Sequence, residues 1–497
     1  MSNIELYREK QELIKNYNYA IFVINYDLET ICPKNDKRRS SDVINYFYKE
    51  IINITNSDEY YNLLKDLIKN SSSASDVELL AIKKEFENLT KMRKIPKDVL
   101  FDGIEITSLA GLSWERARDT LDYTEFENDL NKLVKHNKKV ISYSQDKYKG
   151  YDVLLDDMED NFTMEKYDEF FNLLEKEILP LMKKILNMPK LYNEKLKAVK
   201  FDIDKQKKLT KEICDLMGYT NDVGYIGETI HPFTNGNNVN DVRTTTRYDE
   251  NLLFSNLYSV MHEVGHALYE LQNNKEFSET VLMGGASCAL HESQSRFYEN
   301  MLGRSREFIT FIYPILNKYF KEELKDYTLD DIFYYCNDVT SQFIRTEADE
   351  LTYPFHVLIR YKIEKLLFTN KINPNEIDKI FNELMHEYFG ITPKNKLEGC
   401  FQDVHWSSGF GYFPTYALGS AISAQIYHYM EKDIDIKNDM LEGNFKNINN
   451  WLKEHVHKYG ASKKNLEVIK LSTGEDFNPK YYIDYLKNKF KKIYNIK

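Results

Sequence analysis

Apolar residues recur every three or four positions through most of the chain, with charged residues between them, as in "YDEFFNLLEKEILPLMKKIL" (Tyr167–Leu186). That spacing lines one face of an α-helix. Helix breakers are sparse: 19 glycines and 11 prolines serve 497 residues. There is no internal repeat, low-complexity tract or linker rich in Pro, Gly or Ser. The chain is expected to be mainly α, with residues 1–497 closing as a single domain. One stretch departs from the rhythm: "GYIGETIHPFTNGNNVNDVRTTTRYDE" (Gly224–Glu250) joins a Gly/Asn turn to the alternating, β-branched "VRTTTRY". It predicts a small hairpin or short sheet, whose edge would let an extended peptide pair by main-chain hydrogen bonds. An ordinary surface hairpin is the plain alternative.

The helical pattern then carries chemistry at "VMHEVGHALYE" (Val260–Glu270). Spacing i to i+4 puts His262 and His266 on one face, a turn apart, where both imidazoles reach a single ion. Glu263 falls beside that ion, the position of a general base that takes a proton from an attacking water. A catalytic zinc needs a third protein ligand and an open position. The three-histidine extension is absent, since Tyr269 and Glu270 follow, so the third ligand must come from later in the chain. "ALHESQSRFYEN" (Ala289–Asn300) offers it on another predicted helix: Glu292 is the better candidate, because a carboxylate lowers the net charge of the site, and His291 is the fallback. Gly284 and Gly285 permit the reversal that would bring the two helices together.

Composition narrows the partner. Hydrophobic residues make up 42% and charged residues 29%, the profile of a globular protein with a substantial core. The formal net charge is −11 and the lysines are scattered among acids, which argues against nucleic acid and favours a small or peptidic partner. Cys32, Cys214, Cys288, Cys336 and Cys400 form an odd, widely spaced set without a CxxC pair, as expected of reduced thiols in the cytoplasm. The N-terminal residues carry charges throughout, so neither a signal peptide nor a membrane span is expected there or elsewhere.

Six short motifs in order extend the reading: "HPF" (His231–Phe233), "DVRTT" (Asp241–Thr245), "HEVGH", "HESQ" (His291–Gln294), "IRTEAD" (Ile344–Asp349) and "GCFQDVHW" (Gly399–Trp406). With these the chain resembles the carboxypeptidase Taq family, also called thermostable carboxypeptidase 1, of zinc-dependent metallocarboxypeptidases. The resemblance implies a two-lobed helical molecule with a deep substrate groove and a small β element beside the active site. It implies Zn²⁺ on His262, His266 and Glu292, and Glu263 as catalytic acid and base; Co²⁺ is the expected substitute, since HExxH fixes ligands better than it fixes the metal. It also implies release of single C-terminal residues with broad specificity, proline disfavoured, by a homodimer. Oxyanion donors are sought at His405, Tyr412 and Tyr416, since related two-lobed zinc peptidases use histidine and tyrosine there; core packing is the plain role for both tyrosines.

A C-terminal carboxylate calls for the planar fork of an arginine, and Arg345 and Arg243 lead, with Arg247 on the same strand face as Arg243. Each has a competing ion-pair role: Glu347 and Asp349 flank Arg345, and Asp241 flanks Arg243. His231 is expected, from the resemblance, to close the groove, and Asp349 to orient a ligating imidazole. An oligoendopeptidase or dipeptidyl carboxypeptidase on the same architecture, and a catalytically silent peptide-binding groove, are the alternatives.

Overall fold

The computed structural model describes residues 2–497, and helices dominate it from end to end. Several begin where a side chain satisfies free N–H groups. Ser2 with Glu5 caps the helix Asn3–Thr30, Ser75 with Glu78 caps Asp76–Met92, and Thr328 with Asp331 caps Leu329–Cys336. The helical spacing of apolar residues becomes one continuous core that runs from Ala110 to Tyr494. A second, smaller core belongs to the N-terminal helices, with Tyr7, Leu64, Leu67 and Ile82 at its centre.

The β element is a three-stranded sheet in the order β1-β3-β2, where β1 is Ile226–Glu228, β2 Thr234–Asn238 and β3 Asp241–Thr246. The expected hairpin is the antiparallel pair β2/β3, with Thr234 opposite Thr244 and an irregularity between Gly236 and Asn238. β1 adds a parallel neighbour, Ile226 opposite Thr244. The first helix is tied to this sheet: Tyr26 donates to the Thr244 carbonyl at 3.2 Å, and Thr229 to the Glu29 carbonyl at 2.9 Å.

Two helices carry the HEVGH and HESQ motifs. The HEVGH helix, Leu253–Leu271, is buried along most of its length. Gly284, at φ +90°, turns the chain before the HESQ helix, Cys288–Arg296, which Ser287 caps at Leu290 N. The HESQ helix is wedged between two glycines. A Cβ on Gly265 of the HEVGH helix would meet the Gln294 carbonyl oxygen at 2.9 Å, and one on Gly419 of the helix Thr415–Asp433 would meet Glu292 Cβ at 2.7 Å. Only glycine allows backbones this close. A π-helical turn, Phe297–Leu302, follows the HESQ helix. The HEVGH and HESQ helices face a cavity of about 2240 Å³, which is also lined by the N-terminal helices through Glu29, Asn88 and Arg118.

Candidate metal centre and peptidase site

His262, His266 and Glu292 bring one ligand atom each to within 4.8 Å of one another. Glu292 Oε2 lies 3.7 Å from His262 Nε2 and 3.4 Å from His266 Nε2. Ligands about 2.0–2.1 Å from a tetrahedral ion stand about 3.3 Å apart, so this donor set fits a divalent metal and leaves a fourth position open. His291 is not part of the set, because both of its ring nitrogens are engaged elsewhere: Nδ1 by His266 at 2.6 Å and Nε2 by Glu270 at 2.8 Å.

Burial and the surrounding charges hold Glu292 and His266 in the protonation states that bind a metal. Burial would raise the Glu292 carboxyl, but Arg296, His262 and His266 together hold it well below the usual carboxylate range. Arg296 Nε donates to Glu292 Oε1 at 2.7 Å, which leaves Oε2 for an ion. Burial pushes His266 down to about 3, so its ring is neutral. His262 is different: burial lowers it, but Glu292 and Glu299 offset this and raise it. Its Nδ1 lies 2.9 Å from Glu299 Oε2, the carboxylate–imidazole pairing that fixes which ring nitrogen faces a metal. Glu299 in turn accepts from Arg296 and Arg304.

Asp349, expected in that orienting role, does something else. Its carboxylate accepts from the N–H groups of Thr340, Leu351 and Thr352 and from the Thr352 hydroxyl, folding its own loop. The carboxylate that meets the His262 ring is Glu299, seven residues beyond Glu292 and three beyond Arg296. That spacing on one helical face was a readable signal.

Glu263 is buried beside the ligands, and burial raises its carboxyl. Thr234 of β2 donates to its Oε2 at 2.6 Å, so the expected strand beside the HEVGH helix positions Glu263.

Across the cavity, Tyr416 Oη lies 2.8 Å from His405 Nε2, and Tyr412 stacks on His405 at 5.7 Å. His405 Nδ1 is 3.8 Å from Asp403 Oδ1, beyond hydrogen-bond range. Asp403 instead takes Arg345, at 2.7 to 3.2 Å, and neither Glu347 nor Asp349 does. Arg345 also donates to the Tyr353 hydroxyl, and its backbone N–H donates to Gln402, so the IRTEAD and QDVHW segments are locked together.

Arg243 is held by Asp241 at 2.9–3.0 Å and lies over the Phe22 ring. Arg247 lines the cavity 3.7 Å from Asp249. His231 lines it too, touching Arg118 of the helix Lys97–Thr120. A guanidinium only donates, so His231 accepts through Nε2. Burial, with Arg118 beside it, pushes the ring down to about 4. Arg118 also lies over Trp114, 5.0 Å from the ring centre. Among the described residues it is the one cavity-lining arginine without a carboxylate within 4 Å.

Residues 6–490 match the family model of the carboxypeptidase Taq (M32) metallopeptidases. The chain belongs to this family. It is 38% identical over 486 residues to carboxypeptidase 1 of Bacillus subtilis, covering 97% of this chain and 96% of the relative. It is 34% identical over 482 residues to thermostable carboxypeptidase 1 of Pyrococcus furiosus, covering 95% of each. Solved structures agree. The P. furiosus carboxypeptidase superposes with a TM-score of 0.90 at 32% identity over 99% of both chains. Metallocarboxypeptidase 1 of Trypanosoma cruzi does so with 0.87 at 26% identity over 99% of this chain and 100% of that one. This M32 protein is therefore a metallocarboxypeptidase, a peptide hydrolase that uses a divalent metal.

Proposed function

We propose that this M32 carboxypeptidase releases single residues from the C-termini of peptides, with broad specificity and proline disfavoured, using zinc held by His262, His266 and Glu292. The observation that carries the reading is the placing of Glu263 beside three convergent ligand atoms at the edge of one large cavity. Zinc supplies Lewis acidity there, and cobalt is the expected substitute. Glu263 takes the proton of the attacking water and returns it to the leaving amine, a role suited to a carboxyl that burial has raised. Tyr416 and His405, with Tyr412 stacked beside them, are proposed as donors to the developing oxyanion. The substrate carboxylate is assigned to the corner where His231 and Arg118 line the cavity, with Arg247 as the outer alternative; Arg345, held by Asp403 and Tyr353, is proposed to back that corner without giving up its own partners. Arg243, committed to Asp241, is the weakest of the arginines proposed.

A homodimer is proposed from the family resemblance, and sedimentation of the purified protein checks it. Among the described residues no helix is long and apolar enough to cross a membrane, and all five cysteines are free. The free thiols support a reducing, cytoplasmic setting.

The test is Glu263→Gln assayed on an unblocked peptide and its C-terminally amidated twin. Metal content should be retained while kcat on the unblocked peptide falls about 10²–10⁴-fold. Equal internal cleavage of both peptides by the wild type would remove the carboxypeptidase reading, and an undiminished Glu263→Gln enzyme would remove the mechanism.

A further inference from the structure

The two histidine ligands are supported differently. His262 meets a carboxylate directly, at Glu299. His266 meets a second imidazole: its Nδ1 is 2.6 Å from His291 Nδ1, and His291 Nε2 is 2.8 Å from Glu270 Oε1. We infer that His291 and Glu270 are positioning residues that hold His266 in its metal-ligating tautomer and orientation, and thereby set the affinity of the site for its ion. This rests on the assignment of His262, His266 and Glu292 as ligands.

Proton bookkeeping leaves a single assignment. A neutral His266 that ligates through Nε2 carries its hydrogen on Nδ1 and donates to His291 Nδ1. His291 must accept there, so its own hydrogen is on Nε2 and is donated to Glu270, which only accepts when ionised. If Glu270 were absent, His291 would be free to put its hydrogen on Nδ1. His266 would then have to accept at Nδ1 and carry its hydrogen on Nε2, the atom 3.4 Å from Glu292, where it blocks ligation.

The chain also places these groups well for a rigid contact. Glu270 is four residues after His266, on the same face of the HEVGH helix, and His291 immediately precedes Glu292 on the HESQ helix. The bridge thus fastens the two helices one residue from the point where Glu292 crosses. The His291 ring is further held against Tyr269, at 5.2 Å between ring centres, and the Tyr269 hydroxyl accepts from Ala286 N–H.

The test is zinc affinity of the metal-free full-length protein, read by competition with a chelating dye, together with the visible absorption of the cobalt form. His291→Ala and Glu270→Leu should each weaken zinc binding about 10–100-fold and alter the cobalt bands. Glu270→Gln, whose amide oxygen still accepts from His291 Nε2–H, should restore most of the loss. A general packing defect would not show that rescue. Should His291→Ala fail to fold, the Glu270→Leu and Glu270→Gln pair carries the test alone. His262→Ala is the control for the ligand assignment. If it too bound zinc like wild type, the metal site itself would be misplaced. If it lost zinc while His291→Ala and Glu270→Leu stayed within twofold of wild type, only the positioning role would fall.

Discussion

At the scale of single residues, the arginines around the cavity separate into those that hold the fold and those free to meet a substrate. Arg345 and Asp403 are nearly sealed from solvent, with side chains 8% and 14% exposed, and share three contacts. Burial raises the Asp403 carboxyl, but the charge and hydrogen bonds of Arg345, with His405 beside it, more than offset this and hold it well below the carboxylate range. Arg345→Met therefore strands a buried anion and should destabilise the protein by about 3–5 kcal/mol in denaturant unfolding. Arg118→Ala removes a cation lying over Trp114 and the donor to His231 Nε2 but no ion pair, so its cost should be about 1–2 kcal/mol, below that of Arg345→Met. Its KM for unblocked peptides should rise while melting falls less than in Arg345→Met. An unchanged KM would take Arg118 out of the carboxylate site. What the sequence made readable here was local. His262, Glu263 and His266 stand at fixed helical offsets, and Glu292 was the one carboxylate beside a histidine in the next predicted helix. Partners set by tertiary folding were hidden. Glu347 and Asp349 are next to Arg345 in sequence, yet its partner lies 58 positions away, and the carboxylate on His262 proved to be Glu299, where Asp349 was expected.

At the scale of elements, the metal centre depends on how closely three helices approach. Gly265 and Gly419 both press on the HESQ helix: Gly265 meets the Gln294 and Ser295 backbone and the Tyr298 ring, and Gly419 meets Glu292 Cβ and Cγ and the Ala289 carbonyl, none of them the free end of a flexible side chain. Gly419→Ala should therefore displace Glu292, costing about 1–3 kcal/mol of stability and weakening metal binding. Zinc titration together with thermal melting checks this, and a variant with wild-type affinity and melting would show that the helices have slack. The hairpin was legible because Asn-rich turn chemistry and β-branched alternation are adjacent in the chain. β1 was not, since three residues pairing in parallel across a crossover leave no periodic signature. The glycine of HEVGH carried no readable packing role either. Its meaning comes from the Gln294 and Ser295 backbone, which only the folded chain places against it.

At the scale of the whole molecule, the mainly α architecture followed from the 3.6-residue periodicity, but the separate apolar core of the N-terminal helices did not, because periodicity tells which face is buried and not against what. Long-range joints show the same gap. Glu159 is fully buried between distant parts of the chain: it accepts from Ala289 N–H at the start of the HESQ helix, 130 positions on, and from Asn465, 306 positions on. Burial pushes its carboxyl up to about 7, against an ordinary value near 4.5. Because the folded state holds the proton more tightly, this group's contribution to stability is fully present below about pH 4.5 and is lost as the pH rises through about 7. A difference of this size corresponds to something on the order of 3 kcal/mol. Glu159→Gln keeps a neutral side chain of the same shape at every pH. Measured against that variant, the wild type should lose relative stability between pH 5 and pH 8, with the difference levelling off above. Parallel pH dependences of the two proteins across that window would mean that Glu159 is ionised in the fold and that the joint between the HESQ helix and the C-terminal helices is held by a buried charge.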